Sequence, residues 1–182
     1  ADMAMYLAKK NGKNRYQIFD IKMLQVLNRE FEIEKGLRTA IENNEIKIMY
    51  QPKILVATSK VIGFEALVRW ESKELGFVSP KEFISIAESS GLIISIGKYI
   101  IEEVFKNCRE ILLETDKEFK LAINLSDVQI RDEGIVEFID GTLKKYNIIS
   151  KHIEFEITES IIMKSPEKNI KTLDKLKSLG IT

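Results

Sequence analysis

Val61-Ile62-Gly63-Phe64-Glu65-Ala66-Leu67-Val68-Arg69-Trp70 reads as one β-strand with two unlike faces. Side chains alternate along a strand. Ile62, Phe64, Ala66, Val68 and Trp70 therefore share one face, and all are apolar. Gly63, Glu65, Leu67 and Arg69 share the other. A charge is costly to bury unless it is paired or bound. The apolar face predicts packing under helices. The opposite face is either solvated or one side of a site, and the neighbouring segments bear on which.

Before this strand, Ile46 to Val56 alternates in the same way. Ile46, Ile48 and Tyr50 take one side, and Lys47, Met49 and Gln51 take the other. Pro52 is expected to interrupt the ladder near its end. Ala57 to Lys60 is turn-like, so the two strands form an antiparallel hairpin. After Trp70 the period changes to helical. Ser79-Pro80-Lys81-Glu82 has the pattern of a capping box with proline at the first helical position, and Gly91 ends that helix. A longer helix runs from Ile93 to Glu114, with Ile96, Ile100, Val104, Cys108 and Ile111 inward. A strand is expected over Lys120–Ser126, a helix over Glu133–Tyr146 and a strand over Lys151–Ser160. A helix beginning at Ser165-Pro166 then carries Ile170, Leu173, Leu176 and Leu179, and Gly180 stops it. Strands alternating with helices of this length indicate parallel βα units. Ile181 and Thr182 read as the start of a further strand.

The N-terminal part has its own pattern. Residues 1–20 suggest the end of one domain: a helix through Ala8, a stop at Gly12 and a short strand over Arg15–Phe19. An amphipathic helix over Ile21–Asn43 follows, with Leu24, Leu27, Phe31, Leu37, Ala40 and Ile41 apolar. It connects to, or begins, the domain formed by residues 44–182.

The chain has 182 residues, and 28 Lys plus Arg balance 28 Asp plus Glu. Such balance excludes a whole-molecule pull toward nucleic acid or membrane, so any phosphate binding must be local. The single cysteine excludes an intrachain disulfide, and Cys108 reads as a small core residue. No leader pattern opens the chain. The most apolar run, Leu92 to Ile101, is broken by Ser95, Gly97 and Lys98, which predicts no membrane insertion and a cytoplasmic segment.

Laid side by side, the strands place polar groups on their non-helix faces, mostly toward the carboxyl ends: Gln51, Glu65 with Arg69, Asn124, and Glu156. In a parallel α/β barrel that end binds ligands. Two carboxylates and an amide oxygen there suit a hard cation such as magnesium, manganese or calcium, and Arg69 suits a phosphate oxygen. Taken one at a time, each favours the plain reading, Asn124 satisfying a backbone group and Glu156 pairing with a lysine. Their shared position leaves the metal site and the plain polar face evenly matched. Glu154 has the inward parity of Glu156 but no evident partner. His152 reads as a surface residue, and Tyr50 and Trp70 as packing.

Tyr50-Gln51-Pro52, Gly63 to Trp70 with its Glu65-Ala66-Leu67, Asn124-Leu125-Ser126 and Glu156-Ile157-Thr158-Glu159-Ser160 together resemble the EAL domain, the bacterial cyclic di-GMP phosphodiesterase family. Residues 1–20 resemble the end of a GGDEF (diguanylate cyclase) domain. The resemblance implies about the first half of a TIM-like (β/α)8 barrel, with its first strand antiparallel to the second. It implies Glu65, Asn124 and Glu156 as ligands of Mg2+ or Mn2+, and Gln51, Leu67 and Arg69 as substrate contacts. Glu159 corresponds to a glutamate that steadies a loop near the metals. The implied reaction is hydrolysis of cyclic di-GMP to pGpG by a two-metal mechanism. The family's paired-aspartate motif lies beyond Thr182, so the expectation for this segment is an incomplete metal shell, no activity of its own, and self-association through an open Lys151–Ser160 edge or the inward sheet face. A module that binds cyclic di-GMP without cleaving it is the alternative, and a scaffold using the Ile21–Asn43 helix is a third.

Overall fold

The computed structural model describes residues 21–114, 119–158 and 166–182. The helix and strand expected within residues 1–20 lie outside them. Among the described residues, helix α1 (Ile21–Leu37) precedes strands β1 (Ile46–Leu55), β2 (Lys60–Ser72) and β3 (Gly76–Val78). Helices α2 (Pro80–Ser90) and α3 (Ile93–Glu114) follow, then β4 (Lys120–Asn124), α4 (Asp127–Ile130) and α5 (Ile135–Tyr146). A 3-10 turn at Ser150–His152, β5 (Ile153–Glu156) and α6 (Pro166–Ser178) complete the order.

The sheet runs β1-β2-β4-β5, with β3 also paired to β2. β1 and β2 are antiparallel, whereas β2–β4 and β4–β5 are parallel, as the hairpin and the βα pattern predict. Ile46, Ala66, Trp70, Leu121, Ile123 and Ile153 turn to the helices and are buried. Trp70 is fully enclosed. Its indole meets the Phe83 ring edge-on at 5.7 Å, and its Nε1 donates to Glu45 Oε2 across 3.0 Å. Gly63 faces the other way at a close approach: a Cβ there would lie 2.5 Å from the Lys120 carbonyl oxygen. The β2–β4 ladder therefore requires glycine at this position.

The end of β5 is not open throughout. Thr182 N donates to the Ile153 carbonyl and Phe155 N donates to that of Thr182, the two bonds of a parallel bridge. Ile181–Thr182 thus begins to pair as expected, and the edge predicted to be free is covered at Ile153–Phe155.

Several local expectations need correction. β1 continues through Pro52 to Leu55, because β1 is an edge strand and proline's missing donor costs nothing on the outer side; the irregularity falls at Lys53/Ile54 instead. α1 stops at Leu37 and turns to Asn44. It buries Ile33 and Leu37, while Phe31 stays exposed, since the helix contacts the core only through its last turns. Ser79 precedes α2 without a side-chain capping bond, and Glu82 instead takes a two-pronged contact from Arg29 at 3.0 and 3.3 Å. The capping box is at Ser126–Gln129, before α4. β3 fills the Gly76–Val78 stretch, for which no element was expected; three residues are too few for alternation to register. His152 is buried, and its Nδ1 donates to the Phe119 carbonyl across 2.9 Å.

Candidate functional site

Parity and register set the site. Gln51 on β1 pairs with Glu65 on β2, and Asn124 on β4 pairs with Glu156 on β5. All four sit on the face turned away from the helices. Asn124 Nδ2 donates to Glu65 Oε1 across 2.8 Å, which joins β2 to β4 at their carboxyl ends. The structure thus lines up the two carboxylates with the amide between them. Gln51 is exposed beside Glu65. Leu67 and Arg69 continue the same face of β2, and one guanidinium donor of Arg69 goes to the Val68 carbonyl at 2.9 Å. Glu159 lies outside the described residues.

A cleft of about 450 Å³ opens above these strand ends. Leu67, Arg69, Asn124, Ser126, Asp127 and Glu156 contribute to its wall, together with apolar residues of α2 and α3. Its far side depends on a tight fit. Gln129 Oε1 accepts from Ser126 N at 3.1 Å, and Gln129 N donates to Ser126 Oγ at 3.3 Å. Gly97 of α3 makes room for this, since a Cβ there would lie 2.0 Å from Gln129 Nε2. Asp127 is held from two sides, by Arg131 at 2.7 Å and by Asn169 Nδ2 at 3.2 Å.

Sequence reasoning missed Lys53. Its Nζ donates to Glu154 Oε1 at 2.7 Å and also to Glu156 Oε1. Lys120 adds a longer contact to Glu154 at 3.7 Å. Glu154, which had no partner in the sequence, therefore has two. Lys53 shares the inward parity of Gln51, so its face was legible, but its reach across the sheet was not. Burial pulls the Lys53 ammonium down, but its hydrogen bonds to Glu154 and Glu156 outweigh this and leave it above the ordinary lysine value. The bond from Lys53 holds the Glu154 carboxyl below its ordinary value, against the opposing effect of burial.

Among the described residues no cluster of three His, Cys, Asp or Glu side chains could hold a metal. The row of Glu65, Asn124 and Glu156 is instead two carboxylates and an amide. Its donors are hard oxygens, and a half-turn of the Asn124 amide presents Oδ1 in place of Nδ2. The set fits Mg2+ or Mn2+ in donor chemistry. In this arrangement each carboxylate accepts from a neighbour, Glu65 from Asn124 and Glu156 from Lys53. No helix among the described residues is long and apolar enough to cross a membrane.

Comparison with known proteins identifies the family. The family model described as the EAL domain matches residues 34–182. The cyclic di-GMP phosphodiesterase PdeR of Escherichia coli K12 is 35% identical over 182 residues, covering 99% of this chain and 27% of PdeR. The bifunctional diguanylate cyclase/cyclic di-GMP phosphodiesterase MucR of Pseudomonas aeruginosa is 33% identical over 184 residues, covering 100% of this chain and 26% of MucR. The solved PaMucR phosphodiesterase in complex with c-di-GMP superposes with a TM-score of 0.78 at 31% identity, over 82% of this chain and 61% of that one. The chain thus spans about a quarter of the length of these curated relatives.

Proposed function

Because the chain belongs to the EAL domain family, we propose that it forms one wall of a centre that hydrolyses cyclic di-GMP to linear pGpG, with Glu65, Asn124 and Glu156 as the seat of Mg2+ or Mn2+. The observation that carries this reading is the alignment of those three side chains on adjacent strands, fixed by the 2.8 Å bond between Asn124 and Glu65. The substrate class is supported by the names of PdeR and MucR and by the c-di-GMP complex of PaMucR. A bound divalent cation supplies an acidified water and stabilises charge on phosphate oxygens. The chain's own residues orient the dinucleotide. Arg69 offers its remaining guanidinium donors to a phosphate oxygen. Leu67 gives an apolar surface in the cleft, and Gln51 offers an amide beside Glu65. Glu159 is assigned, from its place in the Glu156–Ser160 motif alone, to steadying a loop near the cation. By sequence alone, residues 1–20 are assigned to the end of a diguanylate cyclase domain and residues 21–43 to a connecting first helix, whose last part already falls within the family match that begins at residue 34.

The test is titration with cyclic di-GMP in the presence of Mn2+, followed by chromatography for pGpG. Saturable binding that weakens in Arg69→Ala supports the reading, and absence of any cyclic di-GMP binding overturns it. One observation favours a second reading, a module that binds the dinucleotide without cleaving it: Lys53 already occupies Glu156. Cyclic di-GMP affinity that Mn2+ leaves unchanged selects that alternative, whereas affinity that rises with Mn2+ selects the hydrolytic centre.

A further inference from the structure

We propose that Lys53 is a built-in competitor for the divalent cation: its ammonium occupies Glu156 in the metal-free protein and withdraws to Glu154 when a cation binds. The inference rests on the reading of Glu65, Asn124 and Glu156 as the cation's seat.

Lys53 lies opposite Gly63 in the β1–β2 register, on the inward face. Gly63 has no side chain, and the inward position on β4 between Lys120 and Asn124 is Ala122. Small residues on both intervening strands leave an open floor over which the lysine stem reaches β5. There the ammonium meets two carboxylates on successive inward positions, Glu154 and Glu156. A divalent ion and an ammonium on the same carboxylate oxygen repel each other, and that oxygen's lone pairs are shared between them. Withdrawal of the ammonium from Glu156 Oε1 therefore favours entry of the cation. Departure is easy because Glu154 Oε1, at 2.7 Å, already accepts from the same Nζ. Glu154 is the resting place, and Lys120 stands beside it at 3.7 Å. Without a cation, Lys53 neutralises carboxylates that would otherwise repel across one pleat.

Mn2+ titration of the full chain, read by the loss of free-Mn2+ paramagnetic resonance signal, tests this directly. Lys53→Met is expected to bind Mn2+ about tenfold tighter than the natural chain or more, in the range by which neighbours tune metal affinity. Lys53→Gln, which keeps a polar side chain, is expected to move the same way. Adding Glu156→Gln to Lys53→Met should cancel the gain. Lys120→Met removes the same charge from beside Glu154 without touching Glu156, and should change affinity far less. A merely structural role for Lys53 predicts weaker binding in all its variants. The proposal is overturned if folded Lys53 variants bind Mn2+ no tighter than the natural chain, if Lys120→Met matches them, or if the gain survives Glu156→Gln. Cyclic di-GMP titration of the same proteins separates the cases. If the dinucleotide still binds, only the role of Lys53 has failed; if it binds none of them, the phosphodiesterase reading fails as well.

Discussion

Asn124 and Glu65 are joined across β4 and β2 by a 2.8 Å hydrogen bond at the carboxyl end of the sheet, with the amide exposed. An exposed neutral–charged bond contributes little to folding, because water replaces either partner when the other is removed. Asn124→Ala is therefore expected to change unfolding free energy by less than about 1 kcal/mol. On the proposed function, cyclic di-GMP hydrolysis should nevertheless fall about a hundredfold, the scale of losing a group at the metal seat. Urea unfolding and pGpG release measured on the same variant check the split. Equal loss of both would show Asn124 to be structural.

The Glu45–Trp70 pair behaves in the opposite way. Trp70 is fully buried and Glu45 is nearly so, and Glu45 Oε1 also accepts from Lys73 N at 3.3 Å. Trp70→Ala should cost about 3–5 kcal/mol by leaving a cavity against Phe83. Glu45→Ala should cost about 1–3 kcal/mol by stranding the indole N–H. Denaturant midpoints give both values, and additivity in the double variant would argue against a shared contact.

Gly97→Ala tests the support behind the cleft. The new methyl would displace the Gln129 amide and break its bond to Ser126 N. The expected loss is about 0.5–2 kcal/mol, the value of a helix cap. In a Gln129→Ala background the same substitution should cost much less, because the obstructing side chain is gone. A cycle showing no coupling would refute the packing argument.

Acid stability should depend on Glu154. Its folded-state value is depressed, chiefly by the bond from Lys53, so the charged form contributes stability above the unfolded glutamate value of about 4.3. That contribution is lost as pH falls through the lower folded value. Glu154→Gln should flatten the decline of stability below about pH 4.3. At the alkaline end the raised Lys53 value acts with the opposite sign: its contribution is complete below the unfolded lysine value and lost as pH rises through the folded one. Urea midpoints measured across the acid range test the first claim; an unchanged acid slope in Glu154→Gln would exclude it.

Cys108 offers a check on the core. Burial pushes its thiol up to about 11, so the folded chain holds it protonated while an unfolded chain ionises near 8.5. A thiol reagent at pH 8 should leave it untouched until denaturant is added. Immediate labelling of the folded protein would show that α3 does not seal this part of the core.

Much of this architecture was legible along the chain because it depends on local periods. Alternation placed Trp70 and Ala66 inward to the helices and Glu65 and Arg69 on the opposite face, and the change from a period of two to 3.6 separated β2 from α2 and α3. The same parity aligned Glu65, Asn124 and Glu156, since each side of a strand follows from counting residues. Tertiary structure alone decided which groups meet. Lys53 reaches Glu154 and Glu156 because the strands come together with Gly63 and Ala122 on the sheet floor, and no period in the sequence encodes contact between residues about a hundred positions apart. His152 is buried because Phe119 presents a carbonyl to it, and the working capping box is the one at Ser126, where Gly97 leaves space for Gln129. Periodicity is a property of neighbours in the chain; the pairing of charges and the fit of a side chain against a glycine are properties of neighbours in space.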